Sequence, residues 1–360
     1  IDNLSLRVSY GELGNDNTTS YGYTTTYSLA KNGDYTMSPN FRLLGNPSIT
    51  WESTKSFNLG VEFGLWNDRL TGGLDFYSKK TYDQLFWLSI PESNGTRGYY
   101  GNLGDIRNNG FELELTGTPV RTRNIDWKIY GNIATNTARI TKLPETKTEN
   151  YGGFSESNDT RNMQMWYAEG GDLYTPFLYK YAGVNDQGEA LYYYDEDLSP
   201  AGNATTNNTS QPGTKISGTT TNLGEASRYK HHTLLPDFIG GFGTTLNAYG
   251  FDVSFNFDYQ IGGKIYDYRY QGLMSNSASA GDGGSAIHVD MLKAWTPNNT
   301  SSNIPRYQYQ DQYTNASSDR WLTNAGYLNF QSFTVGYTIP MSLTAGLGIN
   351  KLRVYATGEN

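Results

Sequence analysis

The chain contains no cysteine, which removes disulfide bridges, thiolate zinc sites, iron–sulfur clusters and cysteine nucleophiles together. Charge is scarce as well: 17% of the 360 residues are Asp, Glu, Lys or Arg, and the formal net charge is −8. Lys and Arg are scattered, Lys79-Lys80 being an adjacent pair, with no basic stripe to displace counterions from phosphate, so no nucleic-acid partner is expected. Long apolar runs are missing. Stretches such as residues 85–88 fall far short of the ~20 residues a spanning helix needs, which excludes a helical membrane protein and leaves a β-barrel open. The chain starts at Ile1 at the entrance to a strand-like segment and stops inside another, and it reads as an internal piece of something larger.

What is abundant is tyrosine and glycine: 30 Tyr beside 15 Phe and 7 Trp, with 41 Gly. Helical and doubly wound α/β proteins use more Ala, Leu, Glu and Lys; long strands with polar loops fit this composition. Period-two alternation is the dominant local signal. Phe251, Val253, Phe255, Phe257 and Tyr259 interleave with Asp252, Ser254, Asn256, Asp258 and Gln260, one apolar face against one polar face. Residues 56–65, 70–77, 111–116, 127–133 and 333–339 repeat the pattern. With 238–246 and the two terminal segments, nine strands are predicted, roughly 12 to 18 residues long where a globular strand averages about five or six.

Short connections (67–68, 120–124, 249–250, 340–349) alternate with long ones (12–48, 86–105, 142–236, 268–325). This puts every short turn on one side of a sheet and every long loop on the other, the layout of an outer-membrane barrel with periplasmic turns and extracellular loops. The predicted fold is therefore all-β, an antiparallel transmembrane β-barrel of which residues 1–360 form a partial domain. Nine strands have the wrong parity for a closed bacterial barrel, and open edges would face lipid or other chains, so further strands must flank it. Trp51, Trp66, Trp87 and Trp127 fall near strand ends, as an interfacial girdle places them. In a barrel, Glu62, Asp75, Glu112, Glu114, Asp252, Asn256 and Asp258 face the lumen. The competing reading is a secreted glycan-binding β-sandwich or adhesin, whose core strands alternate in the same way.

Catalytic and cofactor chemistry find little support. His231, His232 and His288 are the three histidines, and no HExxH, GxSxG or Ser–His–Asp arrangement accompanies them. Glu112 and Glu114 project in parallel from one strand face, about 7 Å apart, and cannot flank a glycosidic bond. Neither 195–197 nor Asn185, Asp186 and Glu189 has calcium-loop spacing. Gly281-Asp282-Gly283-Gly284 lacks the strand–helix context of a phosphate cradle. No cofactor, metal or catalytic residue is predicted, and the chain is not expected to be an enzyme. Asn185-Asp186-Gln187-Gly188 between two β-rich segments predicts a hairpin inside a long loop, and 201–221, rich in Asn, Thr, Ser and Gly, reads as flexible. The better lead is aromatic. Tyr99, Tyr100, Trp166, Tyr192, Tyr193, Tyr194, Trp295 and Tyr307 lie among Asn, Asp and Gly in the long loops, and with Asp195 they are candidates for stacking on and accepting from a polar oligomer. The alternative is that large loops use these rings to pack against one another.

Several stretches resemble one family. They are Leu6-Arg7-Val8-Ser9-Tyr10-Gly11, Thr50-Trp51-Glu52-Ser53-Thr54, Asn58-Leu59-Gly60-Val61-Glu62-Phe63-Gly64, Asp75-Phe76-Tyr77-Ser78-Lys79-Lys80-Thr81, Asn108-Asn109-Gly110-Phe111-Glu112, Tyr181-Ala182-Gly183-Val184, Leu235-Pro236-Asp237-Phe238, Trp295-Thr296-Pro297, Ser318-Asp319-Arg320-Trp321-Leu322 and Leu352-Arg353-Val354-Tyr355. In this order they are similar to the SusC/RagA-like TonB-dependent outer-membrane transporters of Bacteroidetes. The resemblance implies a 22-stranded barrel with a plug domain, a SusD-like surface lipoprotein as lid, and import driven by the TonB complex through an N-terminal part outside this chain. The plug, the TonB box and the closing strands are absent from it. Family members import glycans or oligopeptides across the outer membrane, in contact with its lipid. An oligosaccharide is the expected substrate here, and an oligopeptide the alternative.

Overall fold

Alternation becomes a sheet because each segment hydrogen-bonds to its neighbours in sequence. The computed structural model describes all residues except 17–19, 32–36, 91–97, 149–151, 159–162, 199–210, 275–285 and 309–312. The Gly281–Gly284 run and the first half of the 201–221 segment therefore lie outside the described residues. The chain divides into two compact units, one comprising Ile1–Pro144, Pro236–Ile261 and Gly326–Asn360, the other Glu145–Leu235 and Gly262–Ala325.

The first unit is built on one antiparallel sheet of nine strands: β1 (Asn3–Asn15), β2 (Glu52–Leu65), β3 (Leu70–Ser89), β4 (Gly98–Arg121), β5 (Ile125–Lys142), β6 (Pro236–Ala248), β7 (Phe251–Gly262), β8 (Tyr327–Ile339) and β9 (Leu352–Glu359), with a separate hairpin of Thr26–Lys31 and Met37–Leu43 in the β1–β2 connection. Their spatial order is their chain order, the meander of an up-and-down barrel. Register keeps the apolar side chains together: Leu6 opposes Val61, Val61 opposes Leu74, and Leu74 opposes Leu113. Phe242 stacks on Phe257 at 5.0 Å between centroids, and Phe257 meets Phe330 at 5.1 Å, pairs each contributing about 0.5–1.5 kcal/mol. In β8 the residue count shifts by one between the partners of Asn256 and Phe257. This bulge keeps Phe330 and Phe333 on the apolar face although they are three residues apart.

That face is uncovered. Leu6 is 68% exposed, Phe76 44%, Phe242 44% and Phe251 52%, values foreign to a sandwich core and expected of a surface whose solvent is lipid. No helix among the described residues is long and apolar enough to cross a membrane, a fact without bearing on strands.

Two short turns show how local chemistry closes the hairpins. Between β2 and β3, Trp66, Asn67 and Asp68 all have left-handed φ (57°, 58°, 54°); Asn and Asp tolerate this, whereas a bulky residue adopts it only where the fold compels it. Between β6 and β7, Tyr249 and Gly250 (φ 52° and 91°) make a two-residue turn with both central residues at positive φ, matching the right-handed twist of the flanking strands.

Three expectations about connections need correction. Most of 86–105 is strand, because β3 and β4 pair out to Ser89 and Gly98; residues 90–97 alone lie outside those strands. The short/long contrast also fails once, since 340–351, which holds two short helical turns, outlasts 90–97. Antiparallel order, rather than loop length, is what assigns the ends. Finally, the Lys and Arg scattered in sequence are not all scattered in space: Lys55, Lys80, Arg107 and Arg139 stand directly opposite one another on four adjacent strands.

Phe255→Lys is expected to lower the folding free energy of the membrane-inserted barrel by about 2–4 kcal/mol if it lies near the bilayer midplane. Ser254→Lys, on the polar face, should stay within about 1 kcal/mol. Urea-dependent unfolding of the full-length barrel in liposomes measures both, and equal costs would contradict the assignment of faces.

Candidate functional site

All seven polar strand residues named from the sequence share the face opposite the apolar one, and five of them line one concavity of about 690 Å³: Glu62, Asp75, Glu112, Glu114 and Asp258. Register explains the grouping. Asp75 stands directly opposite Glu112, and Gly73 between Glu62 and Glu114 leaves the second row of carboxylates open. Arg7 was missed by sequence reasoning, although Ser5, Arg7 and Ser9 carry the polar parity of β1. It reaches Glu62 at 3.1 Å and Asp75 at 3.3 Å, crossing over Gly60, where a Cβ would run into the Asp75 carboxylate and crowd the guanidinium. These half-exposed ion pairs are worth about 0–1 kcal/mol each. Arg7 is the one cation among the described residues lining the concavity, so the wall is an array of acceptors with excess negative charge. Asn132, Gln260 and Gln331 extend it with amides.

Asp252 and Asn256 share the face but not the concavity. Arg353 Nε donates to Asp252 at 2.9 Å, and the hydrogen-bonded guanidinium crosses β8 at Gly336, where a side chain would obstruct it. Asn256 accepts from the Tyr130 hydroxyl and donates to Ser332 Oγ at 3.1 Å. A lysine at Asn256 would therefore break two side-chain bonds.

The second unit answers the question of the loop aromatics. Its two segments, from the β5–β6 and β7–β8 connections, share one core of Met163, Met165, Leu178, Tyr266, Met274, Met291, Ala294 and Trp321. Trp166, named from the sequence as an exposed stacking residue, is 3% exposed and lies 5.2 Å from the Phe177 ring. Tyr192 is fully buried, its hydroxyl donating to the Tyr313 carbonyl at 2.6 Å. For these two rings the alternative of loops packing on one another holds.

Asp195 is likewise a structural residue. It is buried and accepts from Thr214 N (2.9 Å), Thr214 Oγ1 (3.2 Å), Lys215 N (3.1 Å) and Asp197 N (3.1 Å). Burial opposes its ionisation, but these donors outweigh burial and hold its carboxyl below the usual carboxylate range. Its neighbours Glu196 and Asp197 pair with Lys215 at 2.9 and 3.1 Å.

The predicted hairpin is present: Tyr181–Val184 pairs with Ala190–Tyr194, and Asn185 Oδ1 accepts from Gln187 N and Glu189 N across the turn. The other loop holds its tip. Arg306 donates to the Gln187 carbonyl at 2.7 Å and meets Glu189 at 3.3 Å, and the Trp295 ring covers Gly188, whose φ of 81° and lack of Cβ permit the approach. Trp295 is thus half-buried as a clamp. Tyr99, Tyr100, Tyr193 and Tyr194 are half-buried and Tyr307 is exposed. Tyr100 meets Trp87 edge-on at 5.0 Å, and Lys180 Nζ lies over the Tyr193 ring at 5.7 Å.

One junction of the two segments was not read from the sequence as chemistry. Asp319 accepts from Tyr181 N at 2.8 Å, the Arg320 guanidinium lies between Tyr181 and Trp321 at 5.2 and 4.5 Å, and Trp321 Nε1 donates to the Ala316 carbonyl. Burial pushes Asp319 up and the Tyr181 hydroxyl up to about 12. A second concavity in this unit, about 590 Å³, is lined by Met163, Tyr174, Leu234, Ile265, Tyr266 and Tyr268 among others. These tyrosines were not singled out, because their exposure depends on partners distant in sequence.

Against this geometry the comparisons are decisive for the family. Residues 1–249 match the TonB dependent receptor-like, beta-barrel family. The chain belongs to it. This receptor barrel is 26% identical over 360 residues to the TonB-dependent receptor P3 of Formosa agariphila, aligning 98% of the chain to 34% of that protein. It is also 26% identical over 379 residues to the TonB-dependent receptor SusC of Bacteroides thetaiotaomicron, again 34% of its length. The chain thus spans about a third of the length of these curated relatives. Solved structures of the RagAB peptide importer in its "closed-closed" and "open-open" states superpose with TM-scores of 0.72 and 0.74 at 25% identity, over 99% of this chain and 37% and 36% of theirs. The chain is accordingly part of an outer-membrane β-barrel of SusC/RagA type, which removes the sandwich reading, and its matched relatives are receptors and transporters rather than enzymes.

Asp195→Asn should leave the Thr214 and Lys215 N–H groups facing a weaker acceptor at a cost of about 1–3 kcal/mol, seen as faster amide exchange at those two residues. The folded pKa is depressed, so the contribution is present above the unfolded value of ~3.9 and lost as pH falls through the folded value. Trp321→Ala should cost about 3–5 kcal/mol, exposing 145–235 and 262–325 to protease while the barrel stays folded.

Proposed function

We propose that this chain is the later barrel portion of a TonB-dependent importer of oligomeric nutrients, glycans foremost, working with a SusD-like surface lipoprotein and with the TonB complex engaged by a part of the protein outside the chain. The long connections between β1 and β2, β5 and β6, and β7 and β8 lie at the extracellular end in this reading. The observation that supports it best is the acceptor wall of Glu62, Asp75, Glu112, Glu114 and Asp258 on the lumen face. Sugars present many hydroxyl donors and little charge, and such a wall accepts from them without needing one fixed geometry, which suits passage rather than tight capture. The same negative charge repels sulfated or uronate-rich chains.

Tyr193, Tyr194, Tyr99, Tyr100 and Tyr307 remain the proposed stacking residues, while Trp166, Tyr192 and Asp195 act by holding the loops in shape. A peptide cargo is the second reading. It is favoured by the likeness to the RagAB peptide importer and by the excess of carboxylates, which would attract lysine, arginine or an amino terminus.

Tyr193→Ala/Tyr194→Ala in the full-length transporter should reduce uptake of a neutral oligosaccharide about tenfold, at about 0.5–1.5 kcal/mol per ring, with little salt dependence. Glu62→Gln/Glu112→Gln/Glu114→Gln should matter less for sugar than for a lysine-rich peptide. Radiolabel uptake by intact cells measures both, and unimpaired sugar uptake in the tyrosine variant together with a salt-sensitive loss of peptide uptake in the glutamine variant would select the second reading.

A further inference from the structure

The cation row lies on the wrong face for cargo. Lys55 opposes Lys80, Lys80 opposes Arg107, and Arg107 opposes Arg139. Their parity is that of Phe57, Leu74, Phe111 and Ile133, so all four share the face of the lipid-facing band rather than the lumen. On β2 the next outward residues are Phe57, Leu59, Val61, Phe63 and Leu65. Five alternate residues cover about 26 Å of strand, which at a ~40° tilt is about 20 Å of bilayer, close to the band of an outer-membrane barrel. The row therefore stands where hydrocarbon gives way to headgroups, at the end carrying the long connections.

Like charges directly opposite one another destabilise a sheet, so four in register need counter-charge. Two carboxylates supply part of it: Glu12 at 3.8 Å from Lys55 and Asp105 at 3.1 Å from Lys80. Arg107 and Arg139 are exposed. With strands ~4.8 Å apart, the row spans about 15 Å, enough for more than one phosphate. Tyr82, under Lys80 Nζ at 4.2 Å and Lys55 Nζ at 5.3 Å, adds the amphipathic ring typical of the interface.

We propose that Lys55, Lys80, Arg107 and Arg139 form a binding site for the phosphorylated headgroup of an anionic lipid in the leaflet at the long-connection end. Guanidinium groups bind phosphate bidentately and ammonium groups bind it as point charges, and cations at a membrane surface each favour anionic lipid. The leaflet assignment rests on the sidedness proposed above; the binding site does not.

The test uses the full-length transporter in phosphatidylcholine nanodiscs, open on both sides and independent of transport, with trace fluorescent diphosphoryl lipid A or its dephosphorylated form. The wild type should retain the diphosphoryl probe at least about tenfold better, and Lys55→Gln/Lys80→Gln/Arg107→Gln/Arg139→Gln should abolish that preference. The swap Lys55→Arg/Lys80→Arg/Arg107→Lys/Arg139→Lys should keep it. Should the quadruple variant fail to fold, Arg107→Gln alone should weaken retention about fivefold. Equal retention of both probes by the wild type, or an unchanged preference in the glutamine variants, would overturn the site. Displacement by inorganic phosphate as effective as by unlabelled lipid A would overturn the lipid assignment.

Discussion

In hydrocarbon there is no water to satisfy a free N–H or C=O, and each such group left unpaired costs several kcal/mol. That requirement governs the nine-stranded sheet. It is why β1 through β9 pair in chain order without a crossover, and why the bulge in β8 is absorbed with pairing resumed on both sides. Once pairing is fixed, the pleat sends alternate side chains to opposite faces. The same backbone constraint thus creates both a lipid surface and a polar wall, and neither can be altered by register slip without inverting the other.

The connections obey a different constraint. Outside the bilayer water is available, so backbone satisfaction no longer dictates form, and segments this long keep a shape only by burying apolar surface of their own. Two connections from different hairpins solve this together. Jointly they bury Trp321, Met274, Leu178 and Met163 almost completely. Their polar groups are then arranged around that core. Asp319 and Arg320 join the two segments, Asp195 gathers N–H donors from Thr214, Lys215 and Asp197, and Arg306 with Trp295 secures the hairpin tip. The result is a unit whose two segments hold each other in shape.

Between these regimes the charges are sorted by face. Carboxylates concentrate on the polar face, where Arg7 alone among the described residues lining the concavity opposes them, and a row of cations shares the apolar face. A net charge of −8 averages over both and describes neither. Field and counter-ion effects act within about a Debye length, so local sign, rather than the total, decides what each surface attracts.

Though it did not show how far β3 and β4 extend, the sequence alone determined that nine long strands exist, their two faces and the positions of the tight turns, because each is a local property: alternation in 251–260, Asn67-Asp68, Tyr249-Gly250 and the Asn185–Gly188 hairpin are legible within ten residues. It also placed Glu62, Asp75, Glu112, Glu114 and Asp258 on one face, since parity along a strand is enough. Only the tertiary structure decided which of these line one concavity, because that depends on register between strands. Only it decided that Trp166 and Tyr192 are buried, since exposure is set by whatever arrives from elsewhere in the chain, as Tyr313 does at Tyr192. And it alone aligned Lys55, Lys80, Arg107 and Arg139, far apart in sequence yet neighbours in space, because hydrogen-bond register sets the offset between strands and sequence distance does not.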